Sequence, residues 1–407
     1  MEEMALLKEQ RGISIRPSQT IQEIYGSEYI YSPKLYAQDY EHFAGDVLSL
    51  EALTGRELCV AGNAPVICHE GAATEAALQL LHKAGLHTPS VLYTYRTDEE
   101  YIQILHQLQQ QQKQVIFQYP HPDDKVSPDL YWVKPEMHAY LCDKQSIPEL
   151  VPPENVPGRR TMSLQQLLQK MPSFPFVLKS GDGRPTSGGS GVLFVEKKEQ
   201  LYELDDSFCD LSNLIVEEFI SHDRNMSVHY TVNQKGDIKF LGQSEQLVNK
   251  DGCFRGSWIS SEAEEFMASI VETGYWIMKK AADKGYVGAA GFDVLIRGNQ
   301  YYFIDLNVRF NASTCGLLLY PAVRRKYGTS VVRLCNLEWT GDFNCVLPTV
   351  KSYIDAKQFV PLSLLDASYF PDDKKVSKVV GLILGHSVEE IEEIINEMTA
   401  KGLYPRE

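Results

Sequence analysis

The sequence of 407 residues predicts an α/β fold, and three patterns support this prediction. In the N-terminal third, strand-like and helix-like segments alternate, which indicates an α/β layer with parallel strands. Between residues 288 and 308, two apolar runs flank the polar turn Arg297-Gly298-Asn299-Gln300, a pattern typical of a β-hairpin. Near the C-terminus, an apolar strand-like run precedes a segment with helical periodicity.

The N-terminal region up to residue 135 is expected to form its own domain. Its predicted elements are a strand at 56–62, a helix at 72–84 that ends at Gly85, a strand at 91–96, a helix at 98–113 and a strand at 115–120. The second helix is rich in glutamine, but its leucine and isoleucine residues recur at helical spacing, so we interpret it as a surface helix.

Composition places the chain among globular proteins with two or three domains, since 43% of its residues are hydrophobic. No apolar run approaches the ~20 residues of a membrane span. The first residues, MEEMALLKEQRG, are polar rather than typical of a signal peptide, so a cytoplasmic protein is expected. The 8 cysteines are scattered without a Cys-x-x-Cys pair, which favours neither a zinc site nor a disulfide framework.

The formal net charge of −15 argues against nucleic acid as a partner, because phosphate backbones require clustered Lys and Arg. A basic cluster does occur at Arg324, Arg325 and Lys326. It is a candidate docking patch for an acidic carrier protein, although the solvated face of a helix explains it equally simply.

The hairpin segment carries the strongest chemical signal. Side chains alternate along a strand, so Asp305, Asn307 and Arg309 are expected to share one face while Leu306 and Val308 pack on the other. Asp293, on the partner strand, supplies a third oxygen ligand to the same place. Oxygen ligands beside a guanidinium suit Mg²⁺ bound to nucleotide phosphates. The alternative is a surface hairpin whose acids are simply solvated.

A second signal lies upstream, where an apolar strand ends in Lys179 and leads into a glycine-rich loop. The loop residues are Ser187, Gly188, Gly189, Ser190 and Gly191. Glycines allow backbone N–H groups to approach an anion closely, and the lysine adds a fixed positive charge. The spacing is not that of a Walker A loop or a dinucleotide fingerprint, so a plain glycine-rich hairpin is the alternative.

A third signal is the apolar run Leu214 to Ile220, which encloses the acids Glu217 and Glu218. On its own, such a pair fits the solvated edge of a sheet.

Taken in order, these motifs resemble those of the ATP-grasp enzymes, over residues 140 to 315. The segment Leu141-Cys142-Asp143-Lys144 resembles the Asp-Lys pair that opens the nucleotide-binding fold in that family. Pro157 and the pair Arg160-Thr161 follow at the usual distance. The resemblance implies an ATP-grasp fold preceded by an α/β pre-ATP-grasp domain that helps bind the substrate.

The resemblance also implies roles for individual residues. Lys144 and Lys179 would be the two nucleotide lysines, Ser187 to Gly191 the flap over ATP, and Arg309 the phosphate-facing arginine. Glu217, followed by Glu218, Phe219 and Ile220, would form the hinge beside the adenine. Asp293, Asp305 and Asn307 would hold Mg²⁺, with two ions expected, and ATP would be the co-substrate.

One segment departs from the family pattern. The hinge is normally followed by Gly-x-Glu, whose carboxylate reaches the ribose, whereas this chain continues as SHDRNMS from residue 221. Asp223 and Asn225 are the two candidates for that role.

The resemblance divides the chain into three parts. Residues 1–135 are the pre-ATP-grasp domain, residues 136–345 are the ATP-grasp domain with a lid at about 144–213, and residues 346–407 form a small closing element. In the closing element, Ser387 to Glu390 resembles a capping box at the start of a helix.

The implied chemistry is attack of a substrate carboxylate on the γ-phosphorus of ATP, followed by displacement of phosphate from the acyl phosphate. Lys179, Arg309 and Arg255 are the catalytic candidates. We expect Arg255 to bind a substrate carboxylate in a bidentate fork, and a surface salt bridge is the alternative role.

The nucleophile is the least determined part of the hypothesis. The pattern resembles ATP-grasp ligases of natural-product pathways, which implies transfer of an amino acid such as glutamate to the phosphopantetheine thiol of an acyl carrier protein in aminoglycoside antibiotic biosynthesis. One alternative is a free-standing peptide or amino-acid amide ligase. Another is a nucleotide-binding module without turnover.

Overall fold

The computed structural model describes residues 14–35, 47–121, 125–181, 191–204, 208, 210–250, 252–260, 267–371 and 376–406. Within these ranges the α-helices are α1 Ile21–Tyr25, α2 Val47–Arg56, α3 Glu75–Ala84, α4 Asp98–Gln110, α5 Pro135–Cys142, α6 Ile147–Leu150, α7 Leu164–Gln169, α8 Met267–Asp283, α9 Thr314–Tyr327, α10 Phe343–Asp355 and α11 Val388–Ala400.

The strands, in chain order, are β1 Ile30–Ser32, β2 Val66–His69, β3 Leu92–Tyr95, β4 Val115–Phe117, β5 Arg159–Met162, β6 Phe176–Ser180, β7 Val192–Val195, β8 Leu214–Glu218, β9 Arg224–Val232, β10 Ile238–Val248, β11 Phe254–Ser260, β12 Gly288–Arg297, β13 Gln300–Asn307, β14 Val331–Thr340, β15 Phe359–Leu365, β16 Val376–Gly385 and β17 Leu403–Pro405. No helix in the described part of the chain is long and apolar enough to cross a membrane.

The N-terminal domain is a parallel sheet in the order β3-β2-β1-β4, which confirms the predicted α/β layer. Helix α3 begins where the Thr74 hydroxyl accepts a hydrogen bond from Ala77 N at 3.2 Å. It ends at Gly85, whose φ of 92° provides the left-handed cap expected from the sequence.

The strand predicted at residues 56–62 is wrong. Helix α2 ends at Arg56, residues 57–60 form a 3₁₀ turn, and the strand lies further on, at β2. The physical reason is that Arg56 and Glu57 are both buried and pair with each other at 2.6 Å. Consecutive side chains of a strand point to opposite faces, so a strand does not allow this pairing.

The large central sheet has the order β13-β12-β9-β10-β11-β14-β16-β15, with β17 paired to β14, and its strand pairs are antiparallel. One face of β9 and β12 packs on helix α8, through buried residues such as Val228, Phe292 and Ile277. Because side chains alternate, the opposite face of the same strands is free to carry polar groups.

A second, four-stranded antiparallel sheet has the order β5-β8-β6-β7; β5, β6 and β7 lie in the region predicted as the lid, and β8 follows it. Its own small core contains Phe176, Leu178, Leu214 and Val216. Strand β8, the predicted hinge strand, is therefore an inner strand of this sheet.

The C-terminal segment contributes strands β15, β16 and β17 to the central sheet. The expected boundary after residue 345 falls inside helix α10, and β16 pairs with β14 along ten register positions. Strand β15 also reaches the N-terminal domain, where Ser363 Oγ donates to Ala52 O at 2.7 Å. The predicted N-cap is present, since Ser387 Oγ accepts from Glu390 N at 3.3 Å, but the Glu390 carboxylate accepts from His386 N rather than from Ser387 N.

Candidate active site

The predicted hairpin is confirmed. Strands β12 and β13 are antiparallel, and Arg297 pairs with Gln300 across the two-residue turn Gly298-Asn299. Gly298 has a φ of 55°, a conformation that glycine adopts without strain. Asp223 Oδ2 accepts a hydrogen bond from Gly298 N at 2.7 Å, so its carboxylate is already engaged in holding this turn.

A β-bulge lies beside the acidic residues. Asp293 pairs with Asp305, and the next pair is Val294 with Phe303, so Ile304 is an extra residue in β13. The Ile304 carbonyl accepts a hydrogen bond from Lys179 Nζ at 2.9 Å. The bulge thus connects the predicted second nucleotide lysine, on the lid sheet, to the metal-site hairpin.

The three predicted metal ligands lie together. Asp293 and Asp305 are directly opposite, and Asn307 Nδ2 donates to Asp293 Oδ2 at 3.2 Å. The other oxygen of Asp293 accepts from Gln246 Nε2 at 2.6 Å. Lys144 Nζ contacts both oxygens of Asp305, at 3.2 and 3.3 Å.

The two carboxyl groups have opposite pKa shifts. Burial, followed by the charge of Asp305, raises the pKa of Asp293. Burial opposes ionisation of Asp305 as well, but Lys144, Lys179 and Arg309 together lower the pKa of Asp305 below its ordinary value. The negative charge of Asp305 thus opposes ionisation of Asp293, and a bound cation between the two groups would remove this repulsion.

This donor set fits Mg²⁺. Within the described residues, no group of three or more His, Cys, Asp and Glu side chains is placed to hold a metal ion. Two carboxylates and an amide leave the remaining positions to water and phosphate, as Mg²⁺ prefers. Asp293, Asp305 and Asn307 are the residues that would hold the ion.

Arg309 lies beyond the strand on which it was predicted. Strand β13 ends at Asn307, and Arg309 occupies the bend that follows, where it is 8% exposed. The bend is fixed through the Val308 carbonyl, which accepts from His138 Nε2 at 2.6 Å and from Tyr286 Oη at 3.2 Å. From this position the charge of Arg309 acts to lower the pKa of both Asp293 and Asp305.

The predicted hinge residue Glu217 is buried between two cations. Its Oε1 lies 2.6 Å from Lys179 Nζ, and its Oε2 accepts from Arg159 Nε at 3.0 Å and from Arg159 Nη2. The Glu217 side chain is 3% exposed. The structure therefore places Glu217 and Lys179 in one ion-paired cluster.

Arg159 is the residue that the sequence interpretation missed. Besides contacting Glu217, its Nη1 donates to Lys144 O at 2.7 Å, so it links both predicted nucleotide lysines to the hinge. It stands directly opposite Glu217 in the register of β5 and β8. The sequence signal was present in the pair Arg159-Arg160, of which only the second residue had been noted.

The remaining nucleotide candidates are partly described. Glu218 is exposed, Ile220 is buried, and the Phe219 ring lies edge-on to Phe194 at 6.2 Å. The flap residues Ser187, Gly188, Gly189 and Ser190 lie outside the described residues, and only Gly191 is placed, with a φ of 65°. Asn225 Oδ1 is buried with no hydrogen-bond partner, whereas the other ribose candidate, Asp223, holds the hairpin turn.

Arg255 is half-buried at the start of β11, next to a bulge in its pairing with β10. Its guanidinium donates only weakly to Phe254 O, at 3.4 Å. Among the salt bridges of the described residues, none involves Arg255. The surface salt bridge considered as its alternative role is therefore not observed in the described part of the chain.

Comparison with known families and structures identifies the fold. Residues 157–307 match the ATP-grasp domain model of L-aspartate–L-methionine ligase, and residues 20–139 match the model of that enzyme's N-terminal domain. The second match corresponds to the domain predicted to precede the nucleotide fold.

Solved structures agree along nearly the whole chain. An N5-carboxyaminoimidazole synthetase from Staphylococcus aureus complexed with ADP has a TM-score of 0.56 at 12% identity, covering 96% of this chain and 99% of its own. Biotin carboxylase from Campylobacter jejuni gives 0.56 at 15% identity, with 93% and 92% covered. An L-amino acid ligase from Bacillus licheniformis gives 0.53 at 12% identity, with 92% and 98% covered.

These findings confirm the ATP-grasp fold and the preceding α/β domain that the motifs predicted. They also favour a ligase over the alternative of a nucleotide-binding module without turnover, because both matching family models are those of a ligase. The chain is an ATP-dependent carboxylate ligase with the ATP-grasp fold.

Proposed function

We propose that the protein joins two amino acids, activating the carboxylate of one with ATP and forming an amide with the amine of the other. The observation that carries this proposal is the match of both the N-terminal and the ATP-grasp regions to L-aspartate–L-methionine ligase. Aspartate as the donor and methionine as the acceptor are accordingly the first pair to test. The amide-forming alternative thus replaces transfer to a carrier protein as the preferred hypothesis.

In the proposed reaction, a donor carboxylate oxygen attacks the γ-phosphorus and ADP leaves. The acceptor amine then attacks the acyl carbon, phosphate leaves, and the nitrogen loses a proton. Such chemistry depends on positioning and charge neutralisation. Lys144, Lys179 and Arg309 supply fixed positive charge at the site, and Mg²⁺, when bound, neutralises phosphate oxygens.

Arg255 supports an acidic donor. It is a half-buried cation without an acidic partner in the described ranges, near the start of an inner strand of the sheet that carries Gln246 and Asp293. A half-buried guanidinium without an acidic partner is suited to bind a carboxylate of the substrate, in the bidentate geometry that arginine favours. An aspartate or glutamate donor has such a group in addition to the one being activated.

The carrier-protein hypothesis has less support. It needs a basic docking patch, and the candidate cluster is reduced because Lys326 Nζ donates to Ala84 O at 3.0 Å and is partly buried. Arg324 and Arg325 remain exposed. Two exposed arginines at the end of a helix are also explained by its dipole.

The test is product analysis with purified protein, ATP, Mg²⁺ and a panel of amino acids, with and without a phosphopantetheine-bearing acyl carrier protein. We expect phosphate release that requires two amino acids, with aspartate and methionine the strongest pair, and a free dipeptide in the small-molecule fraction. The intact mass of the carrier should not change. A mass gain on the carrier, with no free dipeptide, would return the assignment to thioester formation.

Replacing Arg255 by alanine is expected to raise the KM for the donor amino acid roughly 10- to 100-fold, the range for loss of one charge-assisted contact. The KM for ATP should stay near the wild-type value, because only a ground-state contact to the donor is removed. Steady-state kinetics with each substrate varied in turn measures this, and Arg324→Ala, an exposed arginine, is the matched control. Equal increases in both KM values would place Arg255 in the nucleotide site or in the fold.

A further inference from the structure

Two polar rows cross the central sheet on the face that carries the metal site. In the first row, Ser244, Ser227, Asp293 and Asp305 are directly opposite one another on β10, β9, β12 and β13. In the second, Gly242, His229, Gly291 and Asn307 occupy the same four strands in the same order. Because side chains alternate, the rows lie on one face, about 7 Å apart along the strands.

Two side chains in these rows have buried polar atoms without hydrogen-bond partners, Ser244 Oγ and His229 Nε2. Ser227, between them, faces Asp293, and a hydrogen bond from its side chain acts to lower the pKa of Asp293. Ser244, His229 and Ser227 are 1%, 0% and 2% exposed. Folded proteins rarely leave such groups unpaired, so two of them close together beside the acidic residues call for a partner that completes their hydrogen bonding.

The hydrogen bonds around His229 define which of its nitrogens carries the proton. Thr314 Oγ1 donates its single proton to Asn311 Oδ1 at 3.0 Å and lies 3.3 Å from His229 Nδ1. With its proton used, the hydroxyl accepts from Nδ1, which therefore bears the ring proton. Burial lowers the pKa of His229 to about 3, so the ring is neutral at ordinary pH. His229 Nε2 is consequently a bare lone pair, able only to accept a hydrogen bond.

The surroundings of this lone pair are small residues. Glycines at 242 and 291 flank His229 on both neighbouring strands, and in the next row Ser227 and Ser244 stand beside Asp293. A Cβ atom on Gly291 would lie 1.9 Å from Asn311 Nδ2 and 2.8 Å from His229 Cε1. The Asn311 amide thus lies over Gly291 beside the imidazole, and it is the group that a substrate reaching His229 would displace.

We propose that His229, with Ser227 and Ser244, forms the binding site for the acceptor's amino group, in which Nε2 of His229 accepts an N–H of the attacking amine. The inference rests on the proposed amide-forming reaction and adds the site of the second substrate. An amine suits this site because it donates a hydrogen bond and Nε2 can only accept one. The position lies one row from Asp293 and Asp305, beside which the acyl phosphate of the donor forms in the proposed reaction. The two serine hydroxyls complete the hydrogen bonding of the nitrogen or of the neighbouring acyl oxygen. His229 is thus a positioning residue for the second half-reaction.

The test separates the two half-reactions. Donor activation is measured without an acceptor by trapping the acyl phosphate with hydroxylamine as a hydroxamate, and dipeptide formation is measured with the acceptor varied. His229→Phe is expected to raise the KM for the acceptor at least about tenfold, while hydroxamate formation and the KM values for ATP and donor stay within about twofold of wild type. His229→Gln, whose amide oxygen can accept a hydrogen bond in place of Nε2, should restore most of the acceptor affinity.

Two further variants complete the design. Thr231→Val is the matched control, because Thr231 lies on the same strand face but its hydroxyl already pairs with Gln19 at 2.6 Å; it should behave as wild type. Ser244→Ala removes one unpaired hydroxyl with minimal steric change and should weaken only the acceptor, which keeps the test open if His229→Phe does not fold.

The outcomes distinguish this inference from the proposed function. If the wild type forms no hydroxamate with any amino acid, the amino-acid ligase assignment fails and this inference fails with it. If the wild type forms hydroxamate and dipeptide, but His229→Phe and Ser244→Ala leave the acceptor KM unchanged or reduce hydroxamate formation equally, the acceptor site is wrong and the proposed function stands.

Discussion

Replacing Asp305 by asparagine is expected to reduce kcat by about 100-fold or more, the magnitude seen when a charge-stabilising group is removed from a transition state. Asp305 is the carboxyl group of the acidic pair whose pKa is lowered, so it carries negative charge at ordinary pH. Asparagine keeps the size and one oxygen but removes this charge. Nucleotide affinity should fall less, because Lys179 and the lid are unchanged.

Steady-state kinetics and a direct ATP-binding measurement on the folded variant check this expectation. Asp237→Asn is the matched control, since Asp237 is an exposed aspartate in the turn between β9 and β10, away from the acidic pair. Turnover like that of the wild type at saturating Mg²⁺ in Asp305→Asn would rule out the metal assignment.

Replacing Glu217 by glutamine is expected to lower the free energy of unfolding by about 3–5 kcal/mol, because it leaves two buried cations without their counter-charge. Lys179 and Arg159 contact the two oxygens of Glu217, and the three side chains are 5%, 9% and 3% exposed. Glutamine preserves the shape of the side chain, so the decrease in the free energy of unfolding measures the effect of removing the negative charge. Urea-induced unfolding followed by circular dichroism measures it.

The adjacent residue offers a close control. Glu218 is on the same strand but exposed, and Glu218→Gln should change the free energy of unfolding by no more than about 0.5 kcal/mol. If the two variants had equal free energies of unfolding, the ion pairs of Glu217 would make no net contribution to stability.

The hairpin was predictable from sequence because its information is local. A two-residue turn with a glycine sets the register, and the alternation of polar and apolar residues then fixes which side chains share a face. The exact pairing of Asp293 with Asp305 was not predictable in this way, because it depends on the bulge at Ile304; the register of the turn alone would place Ile304 opposite Asp293. The end of β13 at Asn307, two residues before Arg309, was not predictable in this way either, because alternation does not mark where a strand ends.

The charge cluster at the hinge was not predictable, because it depends on pairing between distant segments. Arg159 meets Glu217 only because β5 pairs with β8, and Lys179 joins them because β6 lies on the other side of β8. The unpaired groups of Ser244 and His229 likewise become neighbours only because β10 pairs with β9. The strand predicted at 56–62 failed for a different, local reason, since the consecutive residues Arg56 and Glu57 are both buried and pair with each other.

The contact between Lys144 and Asp305 has a thermodynamic consequence. Lys144, assigned to the nucleotide phosphates, and Asp305, assigned to the metal ion, form an ion pair with each other. Either ligand binding alone must therefore break this ion pair. A cation that takes over Asp305 releases Lys144 for phosphate, and a phosphate that takes over Lys144 leaves Asp305 free for a cation. Each ligand therefore lowers the cost of binding the other, and linkage requires the effect to be equal in both directions. The pair makes the site respond to the metal–nucleotide complex rather than to either component separately.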